Sequence, residues 1–189
     1  MPIGPNENTP SRNRLTEKVA IVTGAGSIGD GWGNGKAAAY VYAKEGAKTF
    51  CVDFRLDAAK ETVKQIEDIG GKAVAYSADV TDEVDVNSMV SACMETWGRV
   101  DILHNNVGGQ GVGRSLDTIT VDDWNATFTR NVTSAMLTCK AVMPIMEKQQ
   151  DGSIINISSI AALRHLNSNT AVYSSTKGAM IEFTKNIAI

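Results

Sequence analysis

Lys18 to Glu45 reads KVAIVTGAGSIGDGWGNGKAAAYVYAKE, and this stretch decides the fold. An apolar run of strand length, Lys18 to Thr23, stops at Gly24. A glycine-rich turn carries the chain through Gly26, Ser27, Gly29, Gly31 and Gly33-Asn34-Gly35. The alanine-rich segment from Gly35 to Glu45 then has strong helix propensity, and Gly46 can close it in a left-handed turn. Strand, glycine turn and helix in this order let backbone approach a pyrophosphate while the helix N-terminus favours its charge. A glycine-rich turn alone is weak evidence, since some such turns are flexible connectors. The strand before it and the helix after it make phosphate binding the better reading.

Outward from that stretch the alternation continues. Lys48 to Asp53 is strand-like, and Leu56 to Ile69 sets Ala59, Val63, Ile66 and Ile69 at helical spacing before Gly70-Gly71. Ala73 to Ala78 reads as a third strand. Asp82 to Trp97 reads as a helix with Val86, Met89, Val90, Cys93 and Trp97 on one face, ended by Gly98, and Val100 to His104 as a fourth strand. Thr120 to Asp123 has the form of a capping box with Asp in place of Glu, opening a helix to about Lys148. Gly152 to Ser158 is a fifth strand, and a last helix begins near Tyr173. Strands alternating with helices imply parallel strands joined by right-handed crossovers. Unbroken apolar strands imply helices on both sheet faces. The fold class is therefore α/β, a doubly wound parallel sheet. Residues 1–14 form a polar tail expected to be flexible, and residues 15–189 a single domain.

The 189 residues are 43% hydrophobic and 21% charged, which suits a globular chain with a buried core and argues against disorder. A net charge of −3 argues against a nucleic-acid or anionic-membrane surface, both of which need clustered cations. No apolar run approaches a membrane span, and the N-terminus lacks the apolar stretch of a secretory signal. Cys51, Cys93 and Cys139 stand far apart with no metal-ligand spacing, so buried thiols in a reducing, cytoplasmic setting are expected, and no metal.

Several residues stand where chemistry is expected. In an open parallel sheet, ligands bind beyond the carboxyl ends of the strands. Asp53 ends the second strand and can accept from adenosine ribose hydroxyls, or it is an ordinary solvated strand-end carboxylate. Asp79 follows the third strand and Asn105-Asn106-Val107-Gly108 the fourth; capping and turn roles would equally place them there. Tyr173 and Lys177 are four apart on a helix and share a face. A phenol titrates near 10 in water, and a neighbouring ammonium favours its ionised form, which makes Tyr173 a candidate acid/base. A surface pair is the bland alternative. His165, His104 and Trp32 read as solvated, structural and packing residues, with Trp32 also placed to cover a nucleotide.

From about Leu15 onward the chain resembles the short-chain dehydrogenase/reductase family. The resemblance rests on four motifs in order: the glycine turn, Asn105 to Gly108, Ser158-Ser159 after the fifth strand, and Tyr173 to Lys177. It implies a Rossmann-type fold lacking its last strands, since family members continue further. It also implies an oxidoreductase that interconverts a secondary alcohol and a ketone. The rival reading is a nucleotide-binding protein without catalysis. Carried over residue by residue, Tyr173 is the acid/base and Ser159 holds the substrate oxygen, with Ser158 as its substitute. Lys177 binds the nicotinamide ribose, and Asn131 holds a water in the proton relay. The implied cofactor contacts are Gly24, Ser27, Gly33, Asn34 and Gly35 in the turn, then Asp53 and Phe54. Further on they are Asp79, Val80, Asn105, Val107 and Gly108, with Tyr173 and Lys177. The turn is about five residues longer than the family's Thr-Gly-x-x-x-Gly-x-Gly. Asp53 favours NAD(H), with NADP(H) as the alternative and Arg55 as the cation that would serve it. Homo-dimers or tetramers are implied too, through the helix bearing Val132, Ala135, Met136, Cys139 and Val142 and through the helix carrying Tyr173.

Overall fold

Five strands form one parallel sheet in the order β3-β2-β1-β4-β5: β1 (Val19–Thr23), β2 (Lys48–Asp53), β3 (Lys72–Ser77), β4 (Ile102–Asn105) and β5 (Ser153–Asn156). The structure is a computed structural model that describes residues 5, 10–29, 31–113, 115–166 and 170–188. Among these residues six α-helices connect and cover the strands: α1 (Asn34–Lys44), α2 (Leu56–Asp68), α3 (Glu83–Trp97), α4 (Val121–Phe128), α5 (Ser134–Gln149) and α6 (Ala171–Ile187). Most of the tail expected over residues 1–14 lies outside the described residues. Of its described part, Arg14 pairs with Glu45 at 3.1 Å.

The period of two in β1 divides the core between the sheet faces. Val19 and Ile21 join Phe50, Val52, Leu103 and the residues of α3 and α5, including Met89 and Val142. Val22, on the other face, packs with Cys51 and with Ala39, Tyr40 and Ala43 of α1 and Ile66 of α2. The doubly wound architecture is as the sequence implies, and strand order turns at β1, which has β2 on one side and β4 on the other. Among the described residues no helix is long and apolar enough to cross a membrane.

Local rules explain several element ends. Asp82 caps α3, its carboxylate accepting from Val84 N and Asp85 N, and Gly98 closes the helix with φ +74°. The Thr120–Asp123 capping box is present in both directions. The long helix expected from Thr120 to Lys148 is interrupted by a π-helical turn, Thr129–Thr133, with Asn131 at its centre. Ile69, expected on the buried face of α2, lies past the helix end and is 41% exposed.

The association surface expected on α5 needs correction. Ala135, Cys139 and Val142 are buried in the chain's own core, so they offer nothing to a partner. Met136 stands at the surface of α5, and Trp124 stands at the surface of α4, stacked on Phe128.

A buried carboxylate ties the amino ends of the strands. Asp101, directly before β4, accepts from Val19 N at 2.8 Å and from Arg99 Nε at 2.8 Å, with Lys18 Nζ at 3.6 Å. Burial works to raise its pKa, but the bonds from Arg99 and the Val19 N–H outweigh it and hold Asp101 below the usual carboxylate range. A depressed carboxylate contributes stability above its unfolded pKa and loses it as pH falls through the folded one. Asp101→Ala leaves the Val19 N–H without its partner and is expected to cost about 2 kcal/mol in urea unfolding at pH 7. The gap from the parent protein should close as pH is lowered into the acid range. A gap that stays constant down to pH about 2 would contradict this role.

Candidate active site

The site begins where β1 ends. Gly24 turns the chain with φ +64°. Asn106, after β4, fastens this turn: its backbone N donates to Thr23 Oγ1 at 3.3 Å and its Nδ2 to Gly24 O at 3.1 Å. α1 then starts hard against the strand ends. A Cβ on Gly35 would stand 2.0 Å from Gly24 O, so no side chain fits there. A Cβ on Gly26 would stand 2.5 Å from Ala58 Cβ. Gly33 is the N-cap of α1 and supplies no side-chain cap, which leaves first-turn N–H groups available beside the cleft.

The cleft has a volume of about 620 Å³. One end is lined by Gly24, Ser27, Gly33, Asn34, Gly35, Asp53 and Phe54. Its other end is lined by Gly108, Ser159, Tyr173 and Lys177, with Val107 beside Gly24. An adjoining hollow of about 480 Å³ shares Gly24, Asp53, Phe54 and Val107 and adds Asp79 and Val80. A groove of equal volume at the free edge of β5 is lined by Met143, Met146, Ile154 and Ile187. The lining of that groove brings no glycine turn together with the Tyr173–Lys177 pair, as the first cleft does.

At the glycine end, both oxygens of Asp53 are engaged by backbone: Oδ2 accepts from Gly26 N at 3.0 Å and Oδ1 from Arg55 N at 3.0 Å. Ser27 Oγ donates to Gly31 O at 2.9 Å and accepts from Gly33 N at 2.8 Å, so this hydroxyl shapes the turn. Asp79 Oδ1 accepts from Thr81 N and Thr81 Oγ1, a turn-forming arrangement at the cleft's edge. Trp32 takes the packing role, edge-on to Tyr40 at 5.1 Å.

At the far end, α6 is locked to the loop after β5. Lys177 Nζ donates to Ile157 O at 2.7 Å, and Ser158 Oγ donates to Lys177 O at 2.7 Å. Lys177 is 4% exposed, its Nζ is 5.8 Å from the Tyr173 ring centre, and burial pushes its pKa down from the ordinary lysine value. Among the described residues no carboxylate pairs with it within 4.0 Å. Ser159 Oγ accepts from Ala161 N at 3.2 Å and keeps its own proton for another acceptor. Ser158 has spent its proton on α6. The distinction between these two neighbours comes from their partners.

Two expected site residues lie behind the cleft wall. Asn131, fully buried, accepts from Gly109 N at 2.9 Å and donates to Gly109 O at 3.0 Å and Thr176 Oγ1 at 2.9 Å. Asn105 is buried between β4, β5 and α5, donating to Asn156 Oδ1 at 2.9 Å and accepting from Thr138 Oγ1 at 2.7 Å. Neither lines the cleft. Sequence reasoning passed over Thr176, whose hydroxyl joins Asn131 to the helix of Tyr173. The signal was only its place between Tyr173 and Lys177. His104 is buried with Nδ1 2.7 Å from Tyr42 Oη, and burial lowers its pKa, while His165 is exposed.

Comparison with known proteins adds an independent line. The family model described as short chain dehydrogenase matches residues 18–189. The chain is 36% identical over 175 residues to 2-(R)-hydroxypropyl-CoM dehydrogenase of Xanthobacter autotrophicus, covering 91% of this chain and 68% of that one. It is 36% identical to 7alpha-hydroxysteroid dehydrogenase of Escherichia coli, covering 93% of this chain and 66% of that one. A solved 7α-hydroxysteroid dehydrogenase, in complex with NADH and 7-oxo glycochenodeoxycholic acid, superposes with a TM-score of 0.86 at 36% identity, covering 93% of this chain and 66% of that one. NAD+-bound xylitol dehydrogenase superposes at 0.85 with 34% identity, covering 93% and 65%. The chain spans about two thirds of the length of these relatives.

The contact between Gly35 and Gly24 is directly testable. Gly35→Ala forces a methyl group into a backbone carbonyl and is expected to destabilise by about 2–3 kcal/mol in urea unfolding. Gly29→Ala, at a site with nothing within 4 Å, should change stability little. Equal effects of the two substitutions would show that α1 is free to move away from the turn.

Proposed function

The chain belongs to the short-chain dehydrogenase family, and from that premise we propose that it interconverts a secondary alcohol and a ketone with a nicotinamide dinucleotide, NAD(H) by preference. The observation that carries the reading is one cleft with two ends. A glycine cradle beside an uncapped helix start lies at one, and Ser159, Tyr173 and Lys177 lie at the other.

The residues fit such a ligand. Gly35 lets the start of α1 close onto the Gly24 carbonyl, where a Cβ would stand 2.0 Å away, and the first turn of α1 offers N–H groups and the positive end of a helix dipole. Asp53, already oriented by two backbone N–H groups, keeps lone pairs to accept from ribose hydroxyls. Phe54, exposed at the same rim, offers an apolar face to the adenine, with Val80 across the adjoining hollow. The nicotinamide, when bound, supplies or accepts the hydride.

The chain's own work is binding and proton transfer. Lys177 gives one N–H to Ile157 O and has two for the second ribose. Tyr173 Oη donates a proton to the ketone oxygen during reduction and takes it back during oxidation. Ser159 Oγ, with its proton unspent, holds that same oxygen. Asn131 fixes the Gly109 loop to α6 and, in the resemblance, would also hold a relay water. The reading includes a small-molecule alcohol or ketone as substrate, a cytoplasmic setting, and a homo-oligomer whose contacts would use Trp124 and Met136, which stand at the surface.

Preference for NAD(H) follows from charge. A 2′-phosphate would stand beside the Asp53 carboxylate, and the Arg55 guanidinium at the same rim of the cleft is already engaged on Ser27 O. NADH is expected to bind at least about tenfold more tightly than NADPH at one ionic strength. Tighter NADPH binding would overturn the assignment of Asp53.

Catalysis is tested by removing a single oxygen. Tyr173→Phe is expected to lower turnover of a ketone panel by at least about a hundredfold while leaving NADH affinity within about twofold. Retained turnover in the variant would remove Tyr173 from the chemistry. NADH binding with no turnover in the parent protein would favour the second reading, a dinucleotide-binding protein without catalysis.

A further inference from the structure

We propose that Arg55 is a positioning residue: it clasps the long glycine turn to the start of α2 and so prepares the phosphate-binding end of the cleft. The inference rests on the dinucleotide reading above. Arg55 lies at the surface as the N-cap of α2, where its side chain caps nothing. Its guanidinium Nη2 donates instead to Ser27 O in the glycine turn. Its backbone N donates to Asp53 Oδ1, and Asp53 Oδ2 accepts from Gly26 N. These bonds close a ring that runs from Asp53 to Arg55, across to Ser27, and back through Gly26.

Ser27 is the hub that makes this ring matter. While its carbonyl is held by Arg55, its hydroxyl bridges Gly31 O and Gly33 N, the residue that starts α1. The far end of the turn is tied separately. Trp32 packs on Tyr40, the Lys36 ammonium lies 5.4 Å from the Trp32 ring, and Lys36 pairs with Glu61 of α2 at 2.5 Å. Among the described residues between the two ties, Ile28 is fully exposed and Gly29 has nothing within 4 Å of its Cβ position.

A turn this rich in glycine loses much conformational freedom on ordering. A ligand that needs the ordered turn binds more weakly in proportion to the fraction of molecules that lack it. The clasp raises that fraction before the ligand arrives. Arg55 therefore acts on affinity for a dinucleotide and leaves the chemical step untouched.

The test uses Arg55→Ala and Arg55→Lys in the full chain. Arg55→Ala is expected to raise the NADH dissociation constant about five- to tenfold, within the range that loss of one exposed hydrogen bond supports. In ligand-free protein, the amides of Gly26 to Gly29 and Gly31 to Gly33 should exchange faster while the sheet amides stay unchanged. Arg55→Lys, which keeps a cationic donor, should recover most of both effects. Ser27→Ala acts on the same turn, so its cost should be less than additive with that of Arg55→Ala. An unchanged dissociation constant would overturn the proposal. So would weaker binding with unchanged exchange, because the guanidinium would then be touching the ligand directly. If the parent protein binds no NADH, the dinucleotide reading fails. Exchange in the ligand-free proteins then decides the clasp: faster exchange in the variant upholds it, and equal exchange overturns it.

Discussion

The first turn of α1 sits against the carboxyl end of β1 with no room for a methyl group between them, and the site depends on that contact. With 2.0 Å between the Gly24 carbonyl and a Gly35 Cβ position, only glycine lets the helix begin there. The close approach puts an uncapped helix start at the point where strand order turns, with β2 on one side of β1 and β4 on the other. It also brings Asn106 against the same carbonyl, so the loop after β4 is held by the turn that α1 grows from. A helix set back to clear a side chain would lose the cradle, the dipole and the anchor for the β4 loop together.

The opposite wall is held by another device. α6 carries Tyr173 and Lys177, and it is fixed by reciprocal bonds with the segment after β5: Lys177 Nζ to Ile157 O, and Ser158 Oγ to Lys177 O. Asn131, in the π-helical turn, ties the same helix to the loop at Gly109. The wall bearing the acid–base candidates is therefore bonded to the loops after both β4 and β5. Burial lowers the Lys177 pKa because desolvation disfavours the ammonium, and the neighbouring carbonyl supports a charge that no carboxylate among the described residues offsets. A cation kept in this way suits a polar ligand that reaches it from the cleft.

Much of this was legible in the sequence, for identifiable reasons. Strands and helices announced themselves because apolar runs end at glycines, and Gly46 and Gly98 take the left-handed conformations their positions suggest. The ends of strands were less legible because pairing decides them. Gly152 to Ser158 reads as a strand, yet among the described residues the strand is Ser153–Asn156, paired with β4. The π-helical turn leaves no mark in hydrophobic periodicity. Of two adjacent amides, composition does not say which faces the cleft. The register that sets Asn105 opposite Asn156 turns Asn105 inward and leaves Asn106 for the turn. An apolar helix surface also looks the same whether it meets a partner or its own core, which is why Ala135, Cys139 and Val142 read as an interface. The roles of Ser158 and Ser159 separate only through their partners, which lie 19 and 2 residues away.

The central claim is that the glycine cradle, and no other hollow of the protein, receives a nicotinamide dinucleotide. Titration of isotope-labelled protein with NAD+, followed residue by residue through backbone amide resonances, tests it most directly. Saturable shifts centred on Gly33, Asn34 and Gly35, with further shifts at Gly108 and Lys177, are the predicted result. An absence of shifts at those amides, or shifts centred on Met146 and Ile154 at the free edge of β5, would contradict it.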